Sequence, residues 1–252
     1  MFNRRFQGQV YTQLLRILGQ QARDATAAPI TDSPALRYND DDVVAFVDMQ
    51  NFHYFLKENC RVEATQVHMP NLLNEFASMH NIKLTEMIFF TGIHDYARDP
   101  QKHMAMTSRL RWLEKCGVRV VALPVAYRTD RRTLQVRVEE KGIDVRIGCE
   151  LLKAVTLGLR RALMVTQDID LTQAIEMATE MALERGSRFF GYSPSLAGEE
   201  WDDNGRCGVN GLRGTTRLAM TPELARKHVR PERFPGERDA RARERAQSTV
   251  QP

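Results

Sequence analysis

The sequence predicts an α/β fold in which a mostly parallel sheet of about five strands lies between layers of helices. Short apolar runs alternate with longer segments of helical periodicity along the body of the chain, an order typical of parallel strands joined by crossover helices. The runs are apolar nearly throughout, as expected where helices cover both faces of a sheet. The chain has no internal repeat that would favour a solenoid instead.

Five apolar runs predict the strands, at residues 43–47, 87–90, 118–123, 162–165 and 188–192. The second run is closed by Thr91-Gly92 and the third by Pro124, and glycine and proline both interrupt strands. The polar and basic stretch 125–140 follows the third run and predicts a hairpin.

Four segments with apolar residues at helical spacing predict the crossover helices, at residues 70–80, 100–116, 142–157 and 171–184. Pro70 and Pro100 fall in first turns, where proline is tolerated, and Asp99 is a favourable cap for the second helix. The side chains that we expect to face the core are Leu72, Leu73, Phe76, Met104, Leu110, Leu113, Ile143, Ile147, Leu151 and Val155.

The chain divides into three predicted parts: an N-terminal amphipathic helix with a linker (1–40), the α/β domain (41–220) and a basic tail (221–252). Apolar residues recur every fourth position from Phe2 to Leu18, which predicts a helix that packs on the domain or on a second subunit of a homo-oligomer. The tail carries eight basic and five acidic residues and few apolar ones, so we expect disorder after about Glu232. The glycine-rich stretch 198–214 predicts a loop.

Composition excludes several classes of protein. Of the 252 residues, 42% are hydrophobic and 27% charged, as in ordinary globular proteins. No apolar run reaches the roughly 18 residues of a membrane span, so no membrane partner is expected. The four cysteines form no C-x-x-C pair, which disfavours a zinc ribbon or a redox motif and favours a reduced, cytoplasmic location. The chain also lacks the motifs of a P-loop NTPase and of an α/β-hydrolase.

Acidic residues follow two of the predicted strands and open one helix. Asp48 ends the first strand, Asp168 and Asp170 follow the fourth, and Asp144 begins the helix that leads into the fourth. Because ligands of parallel α/β sheets bind beyond the carboxyl ends of the strands, these carboxylates should meet at one edge. Such a cluster favours a hard divalent cation, Mg²⁺ or Mn²⁺, as its partner.

Three short motifs in this region resemble a known family. Asp48-Met49-Gln50-Asn51 resembles the D-x-x-N motif of the NYN domains, which belong to the PIN-like ribonucleases. Lys141-Gly142-Ile143-Asp144 is similar to the K-G-x-D element of that family, with an acidic residue, Glu150, six positions later. Residues 166–171 resemble its S-G-D-x-D-F element. The resemblance covers residues 43–194 and has the order and spacing of the family.

The resemblance implies a Rossmann-like, PIN-like three-layer fold and metal-dependent cleavage of RNA. It implies that Asp48, Asp144, Asp168 and Asp170 are catalytic and hold Mg²⁺ or Mn²⁺. The metal is expected to activate a water for in-line attack on phosphorus, with a second ion steadying the leaving oxygen. Asn51 is the remaining catalytic candidate, by positioning the substrate, although it is equally suited to cap a helix at 52–59.

The chain departs from the family motif at the third element. Gln167 occupies the position of a glycine, Ile169 that of a small residue and Leu171 that of an aromatic one. The Gln167 side chain either crowds the site or offers its amide to a ligand. Asp170 also has a structural interpretation, since Asp170 and Gln173 form a pattern like a capping box. Glu150 is expected either on a solvated helix face or near the metal.

Basic residues precede the K-G-x-D element. We expect substrate contacts from Arg128, Arg131, Arg132 and Lys141, together with Thr166 and Gln167 of the third motif. Tyr127 is suited to stack on a base, which favours single-stranded RNA. Acidic neighbours, among them Glu139 and Glu140, dilute this patch, and a solvated hairpin is the alternative.

The expected function is therefore that of a metal-dependent endoribonuclease acting on single-stranded RNA. The alternative is an NYN-type module with weak or no catalysis that binds RNA or a protein. A phosphatase-like hydrolase is disfavoured, because the first strand ends in Asp48-Met49-Gln50 and lacks the second acid of a D-x-D motif.

Overall fold

The computed structural model describes residues 36–130, 132–133, 135–196 and 212–230. Its strands are β1 (Val43–Asp48), β2 (Leu84–Ile93), β3 (Arg119–Pro124), β4 (Ala126–Thr129), β5 (Val136–Glu139), β6 (Arg161–Val165), β7 (Phe190–Leu196) and β8 (Thr216–Met220). Six of them form one parallel sheet in the order β3-β2-β1-β6-β7-β8, and β4 pairs with β5 as a separate antiparallel hairpin. The predicted α/β class and the predicted hairpin are confirmed.

The helices are α1 (Met49–Asn59), α2 (Met69–Met79), α3 (Pro100–Lys115), α4 (Ile143–Thr156), α5 (Thr172–Glu184) and α6 (Pro222–Lys227). Short 3₁₀ turns occur at Ala64–Gln66 and Ile169–Leu171. Asp99 caps α3 as predicted, since its side chain accepts a hydrogen bond from the backbone N–H of Lys102 at 3.0 Å. None of the described helices is long and apolar enough to cross a membrane.

The central strand β1 is buried along its whole length and separates two helical layers. Ala45 and Val47 point into the cluster that contains the apolar faces of α1 and α2. Phe46 lies between them in sequence and stacks on Phe90 with ring centroids 6.4 Å apart, on the side where α4 packs against β1 and β2. The apolar side chains on both faces of β1 explain why its sequence shows no alternation of polar residues.

Strand pairing aligns the carboxyl ends of the central strands. Asp48 at the end of β1 lies beside Phe90 of β2, and Val47 lies beside Val165 at the end of β6. The residues that follow β1 and β6, and those at the end of β2, therefore come together at one edge of the sheet.

Two predicted features need correction, one in β2 and one in α3. Strand β2 begins at Leu84, three residues before the predicted start. Its first half contains the polar residue Glu86, which is paired with Arg119 at 3.0 Å and with Arg37 at 3.1 Å. These ion pairs stabilise a strand half that apolar composition does not reveal. Met104 was expected to face the core but is 47% exposed, whereas Leu110 and Leu113 are buried as predicted.

The sheet has a sixth strand, β8, where the sequence predicted about five strands. β8 is an edge strand in which only Leu218 and Met220 are buried, so its sequence lacks a continuous apolar run.

Residues 221–230, which were assigned to the basic tail, fold onto the domain. Thr221 caps α6, Leu224 and Ala225 are buried, and Val229 pairs with Val67. A few apolar side chains at helical spacing are enough to attach a segment whose composition is mainly charged. Nearly all of the predicted N-terminal part (1–40), most of the loop 198–214 and the tail beyond residue 230 lie outside the described residues.

Candidate active site

The predicted acids come from three separate elements that end or begin at one edge of the sheet. Asp48 is the last residue of β1, Asp168 follows β6, and Asp144 lies in the first turn of α4. Their charges interact: Asp144 and Asp168 both raise the pKa of Asp48, and Asp168 also raises the pKa of Asp144. We call Asp48, Asp144 and Asp168, together with Glu140, the acidic cluster.

Asp48 is the most buried member, with 5% of its surface exposed. Its Oδ1 atom accepts a hydrogen bond from the backbone N–H of Asn51 at 2.9 Å, so Asp48 caps α1. Burial raises the pKa of Asp48 to about 7, the Asn51 hydrogen bond opposes this change, and Asp144, Glu140 and Asp168 add to it. Asp48 therefore has two roles: it begins a helix and carries a carboxylate that is costly to ionise.

Asp144 is placed by the glycine of the K-G-x-D element. Gly142 has φ of +75°, a left-handed conformation that disfavours other residues, and the chain turns there into α4. Burial raises the pKa of Asp144 to about 6, with further contributions from Asp168, Asp170 and Glu140. The helix N-terminus favours an anion at this position, but burial and the neighbouring carboxylates have the larger effect.

The loop after β6 holds Asp168 through local hydrogen bonds. The backbone N–H of Asp168 donates to Thr166 Oγ1 at 3.1 Å, and Asp168 Oδ1 accepts from the backbone N–H of Asp170 at 3.0 Å. Asp168 therefore caps the 3₁₀ turn, and the predicted capping box of Asp170 is wrong. Thr166 is 2% exposed, so its hydroxyl shapes the loop and is poorly placed for the predicted contact with substrate.

Glu140 is a member of the cluster that the sequence interpretation missed. It follows β5, and its Oε1 atom accepts a hydrogen bond from the backbone N–H of Gly92 at 2.8 Å. A Cβ atom at Gly92 would lie 2.7 Å from Glu140 Cγ, so glycine is required for this approach. Burial raises the pKa of Glu140, although hydrogen bonds from Gly92 and Thr91 oppose it. The available signals were Gly92 near the end of β2 and the position of Glu140 directly before the K-G-x-D element.

Asn51 connects the first and third motifs. Its Oδ1 atom accepts a hydrogen bond from the backbone N–H of Gln167 at 2.8 Å, which ties the start of α1 to the loop that carries Asp168. The alternative role of Asn51 as a helix cap is wrong, because Asp48 caps α1. Asn51 can therefore position Asp168 without touching the substrate itself.

Gln167 is accommodated without backbone strain, since its φ is not positive. Its backbone N–H is already used by Asn51. Its side-chain Nε2 atom is buried and has no hydrogen-bond partner among the described residues. A buried amide without a partner costs on the order of 1–3 kcal/mol, so this position carries a local penalty within the candidate site.

The donor chemistry of the cluster fits a hard cation, since every member offers carboxylate oxygens at a partly desolvated site. Among the described residues, no group of three or more His, Cys, Asp or Glu side chains is arranged closely enough to hold a metal ion. Carboxylates that repel one another move apart unless a cation offsets their charge. The oxygen ligands of the cluster therefore suit a divalent ion, but the side chains are not already arranged around an ion position.

The predicted basic residues lie on or near the β4–β5 hairpin, where two of them are paired with an acid. Arg128 and Lys141 both contact Glu139, at 3.3 and 3.9 Å. Arg132 is exposed, and Arg131 lies outside the described residues. Surface pairs of this length are weak, so these cations remain able to exchange acidic partners for phosphates.

Tyr127 anchors the hairpin to the loop after β2. Its hydroxyl hydrogen-bonds His94 Nδ1 at 3.0 Å and accepts from the backbone N–H of Asp95 at 3.2 Å. The Arg98 guanidinium lies 4.8 Å from the centre of its ring. Because Arg98 already covers one face, the predicted stacking of a base on Tyr127 is restricted to the other face.

Glu150 does not belong to the cluster. It is 8% exposed and pairs with Arg119 at 2.9 Å and with Arg146 at 2.8 Å. The expected solvated face is therefore wrong, and two arginines already occupy the carboxylate that the alternative would place near a metal. A buried carboxylate held by two arginines has a structural role.

A groove with a volume of about 570 Å³ lies elsewhere, at the amino-end edge of the sheet. Its arginines include Arg160 and Arg161, which pair with Asp40 at 2.8 Å and with Asp41 at 3.5 Å. Because none of the acidic cluster lines this groove, its size does not make it the reaction site.

Comparison of the chain with models of known protein families gives no match, and comparison with curated proteins gives none either. The resemblance to the NYN domains therefore stays a prediction from three motifs.

Proposed function

We propose that the protein is a metal-dependent ribonuclease that hydrolyses phosphodiester bonds of single-stranded RNA. The observation that carries the proposal is the coupling of Asp48, Asp144 and Asp168. These carboxylates come from three elements and meet at the edge where parallel sheets bind ligands. Asp144 and Asp168 raise the pKa of Asp48, and Asp168 also raises the pKa of Asp144. Perturbed carboxylates that share one edge are typical of functional sites.

Each residue of the site has an assigned task. Asp48, Asp144 and Asp168 would hold Mg²⁺ or Mn²⁺, with Asp170 at the exposed margin. When bound, the ion supplies Lewis-acid chemistry, because it lowers the pKa of a water molecule and offsets charge on the phosphodiester oxygens. Asn51 keeps the Asp168 loop against α1 through Gln167. Arg128, Arg132 and Lys141 hold the phosphates of the strand.

The cysteines support a reducing, cytoplasmic location as part of the proposal. Cys60, Cys116 and Cys149 are free thiols, whereas disulfides are common in secreted proteins.

A second candidate is an NYN-type module that binds RNA with little or no cleavage. It is favoured by Gln167, whose backbone N–H is used by Asn51 and whose side chain occupies buried space beside Asp168. Both features reduce what this loop can offer to a phosphate. In this candidate the acidic cluster does not catalyse cleavage, and the basic residues of the β4–β5 hairpin bind the RNA.

The test is incubation of the purified full-length protein with labelled single-stranded RNA in Mn²⁺, in Mg²⁺ and in EDTA. We expect cleavage with the metals and none in EDTA. Asp168→Asn should remove cleavage, whereas the matched control Asp41→Asn should not, because Asp41 is exposed at the opposite edge. RNA binding without cleavage in any metal would reject the ribonuclease and support the second candidate.

A further inference from the structure

Beside the acidic cluster lies a cavity of about 170 Å³ between α1, α3 and the end of β2. The pockets that enclose drug-sized ligands measure roughly 300–1,000 Å³, so this cavity accommodates a single ring system rather than a whole nucleotide. Its lining consists of Met49, Gln50, His53, Thr91, Met106, Arg109, Leu110 and Glu140.

The cavity is continuous with the candidate active site through the chain itself. Met49 and Gln50 directly follow Asp48, and Thr91 follows Phe90, the residue beside Asp48 in the sheet. Glu140 belongs both to the acidic cluster and to the cavity wall. A ligand group in the cavity would therefore lie next to the carboxylates that are proposed to act on a phosphodiester.

The lining suits the two faces and the polar edge of a nucleobase. Met49, Met106 and Leu110 offer apolar surface for the ring. The polar groups are Gln50, His53, Arg109 and Glu140. Burial lowers the pKa of His53, so its ring is neutral at pH 7 and can both donate and accept a hydrogen bond.

The polar groups also favour one base over the others. Glu140 is fixed by the N–H of Gly92 at 2.8 Å, and a carboxylate has further acceptor positions beyond that bond. Guanine alone presents two adjacent donors, N1–H and the N2 amino group, on its Watson–Crick edge. Arginine pairs with the O6 and N7 acceptors of guanine, and Arg109 is held in the wall by the carbonyl of Ala64 at 3.2 Å.

We propose that this cavity binds one unpaired nucleobase, preferentially guanine, next to the phosphodiester that lies at the acidic cluster. The inference rests on the proposed function, because it names the substrate feature that the same site would recognise. Recognition of an unpaired base explains a preference for single-stranded RNA, in which base edges are accessible.

The experiment measures binding of labelled RNA pentamers by the full-length protein in EDTA, so that no cleavage is needed. The pentamers are uridines in which the central residue is guanosine, adenosine, cytidine, uridine or an abasic ribose. We expect the guanosine pentamer to bind about tenfold more tightly than the abasic one, as for one well-formed pair of base contacts, and more tightly than the other three. The comparison is a ratio, so the electrostatic attraction common to all pentamers cancels.

Two variants test whether the cavity is the source of the preference. Met106→Trp should fill the cavity and abolish it, whereas the matched control Met104→Trp should retain it, because Met104 is 47% exposed on the same helix. Gln50→Ala, at an exposed position that packs little, should weaken the preference even if Met106→Trp fails to fold. Circular dichroism reports the fold of each variant.

Failure of this inference is distinct from failure of the proposed function. Equal binding of the guanosine and abasic pentamers, preference for another base, or preference retained in folded Met106→Trp would each overturn the guanine site. Cleavage by a protein without base preference would leave the ribonuclease intact. Base preference without cleavage in any metal would support the cavity and reject the ribonuclease.

Discussion

The described part of the chain contains two groups of buried and half-buried carboxylates that differ in how their charge is balanced. In the first, Glu86 and Glu150 share Arg119 at 3.0 and 2.9 Å. Arg37 adds a second contact to Glu86, at 3.1 Å, and Arg146 a second contact to Glu150, at 2.8 Å. We call these five residues the paired network.

In the acidic cluster, burial raises the pKa values of Asp48 and Asp144 to about 7 and about 6, and neighbouring carboxylates add to both shifts. The paired network shows that this fold can supply arginines to buried acids. Under the proposed function, a bound cation balances the charge of the cluster, whereas the charges of the paired network are balanced within the described residues. The presence or absence of arginine partners distinguishes the proposed functional carboxylates from structural ones better than burial does, since Asp48 and Glu150 are both buried.

The largest expected effect is on activity, and it tests whether the cluster is functional. Asp168→Asn should reduce metal-dependent cleavage of RNA by about a hundredfold or more, since it removes one of the charges proposed to hold the ion. Asparagine keeps an oxygen that can accept the N–H of Asp170, so the loop should persist. Glu150→Gln is the comparison from the paired network, and its cleavage per folded molecule should be unchanged. Equal losses of cleavage in both variants would show that the acidic cluster is no more functional than the paired network.

The second prediction breaks the paired network. Arg119→Met should destabilise the protein by about 1–2 kcal/mol, because it leaves the buried Glu150 and the half-buried Glu86 with one arginine each, and solvent at Arg119 screens part of the loss. Chemical denaturation measures the change. Arg146→Met is the control and should cost less, since Glu150 keeps its contact with Arg119. If both variants were as stable as the wild type, the network would not be structural.

The third prediction has the opposite sign and concerns Asp48. In the metal-free protein, Asp48→Asn should raise the free energy of unfolding by on the order of 2–4 kcal/mol above pH 7, because the pKa of Asp48 is about 7 in the fold and 3.8 for an ordinary aspartate. Between these values the folded state binds more protons, so wild-type stability falls as pH rises from about 4 to 7. Asparagine retains the cap of α1.

Two comparisons check this assignment in EDTA. The stability curves of wild type and Asp48→Asn should converge below pH 4 and separate above pH 7. Asp99→Asn, at the exposed cap of α3, should instead lower stability slightly at neutral pH, since the hydrogen bond from Lys102 lowers the pKa of Asp99. Parallel curves for wild type and Asp48→Asn would show that Asp48 is not penalised by burial.

Sequence patterns predicted the fold class, the α3 cap and the edge at which Asp48, Asp144 and Asp168 meet, because strand ends and helix starts are local properties. They missed Glu140, whose position depends on the close approach at Gly92. They also missed the pairing of Glu150 with Arg119, which lies 31 residues away. Both contacts join elements distant in sequence, and nothing in local composition reports them. Strand β8 was missed for a related reason: an edge strand buries too few residues to form an apolar run.

The smallest expected effect concerns Gln167. Like the carboxylates of the acidic cluster, it places a polar group in a buried site without a balancing partner in the described part of the chain. Its buried Nε2 has no partner among the described residues, so Gln167→Met, of similar length and without the amide, should stabilise the protein by about 1 kcal/mol. Gln167→Gly should cost about 0.5–1 kcal/mol through added backbone freedom. Both variants keep the bond from the backbone N–H to Asn51, so the position of Asp168 is held constant.

If the side chain crowds the site, Gln167→Gly raises the rate of cleavage and Gln167→Met leaves it unchanged. We expect this result, because a buried amide nitrogen is out of reach of a phosphate in solvent. Loss of cleavage in both variants would show instead that the amide binds the substrate. In that case the missing partner of Nε2 is the RNA itself.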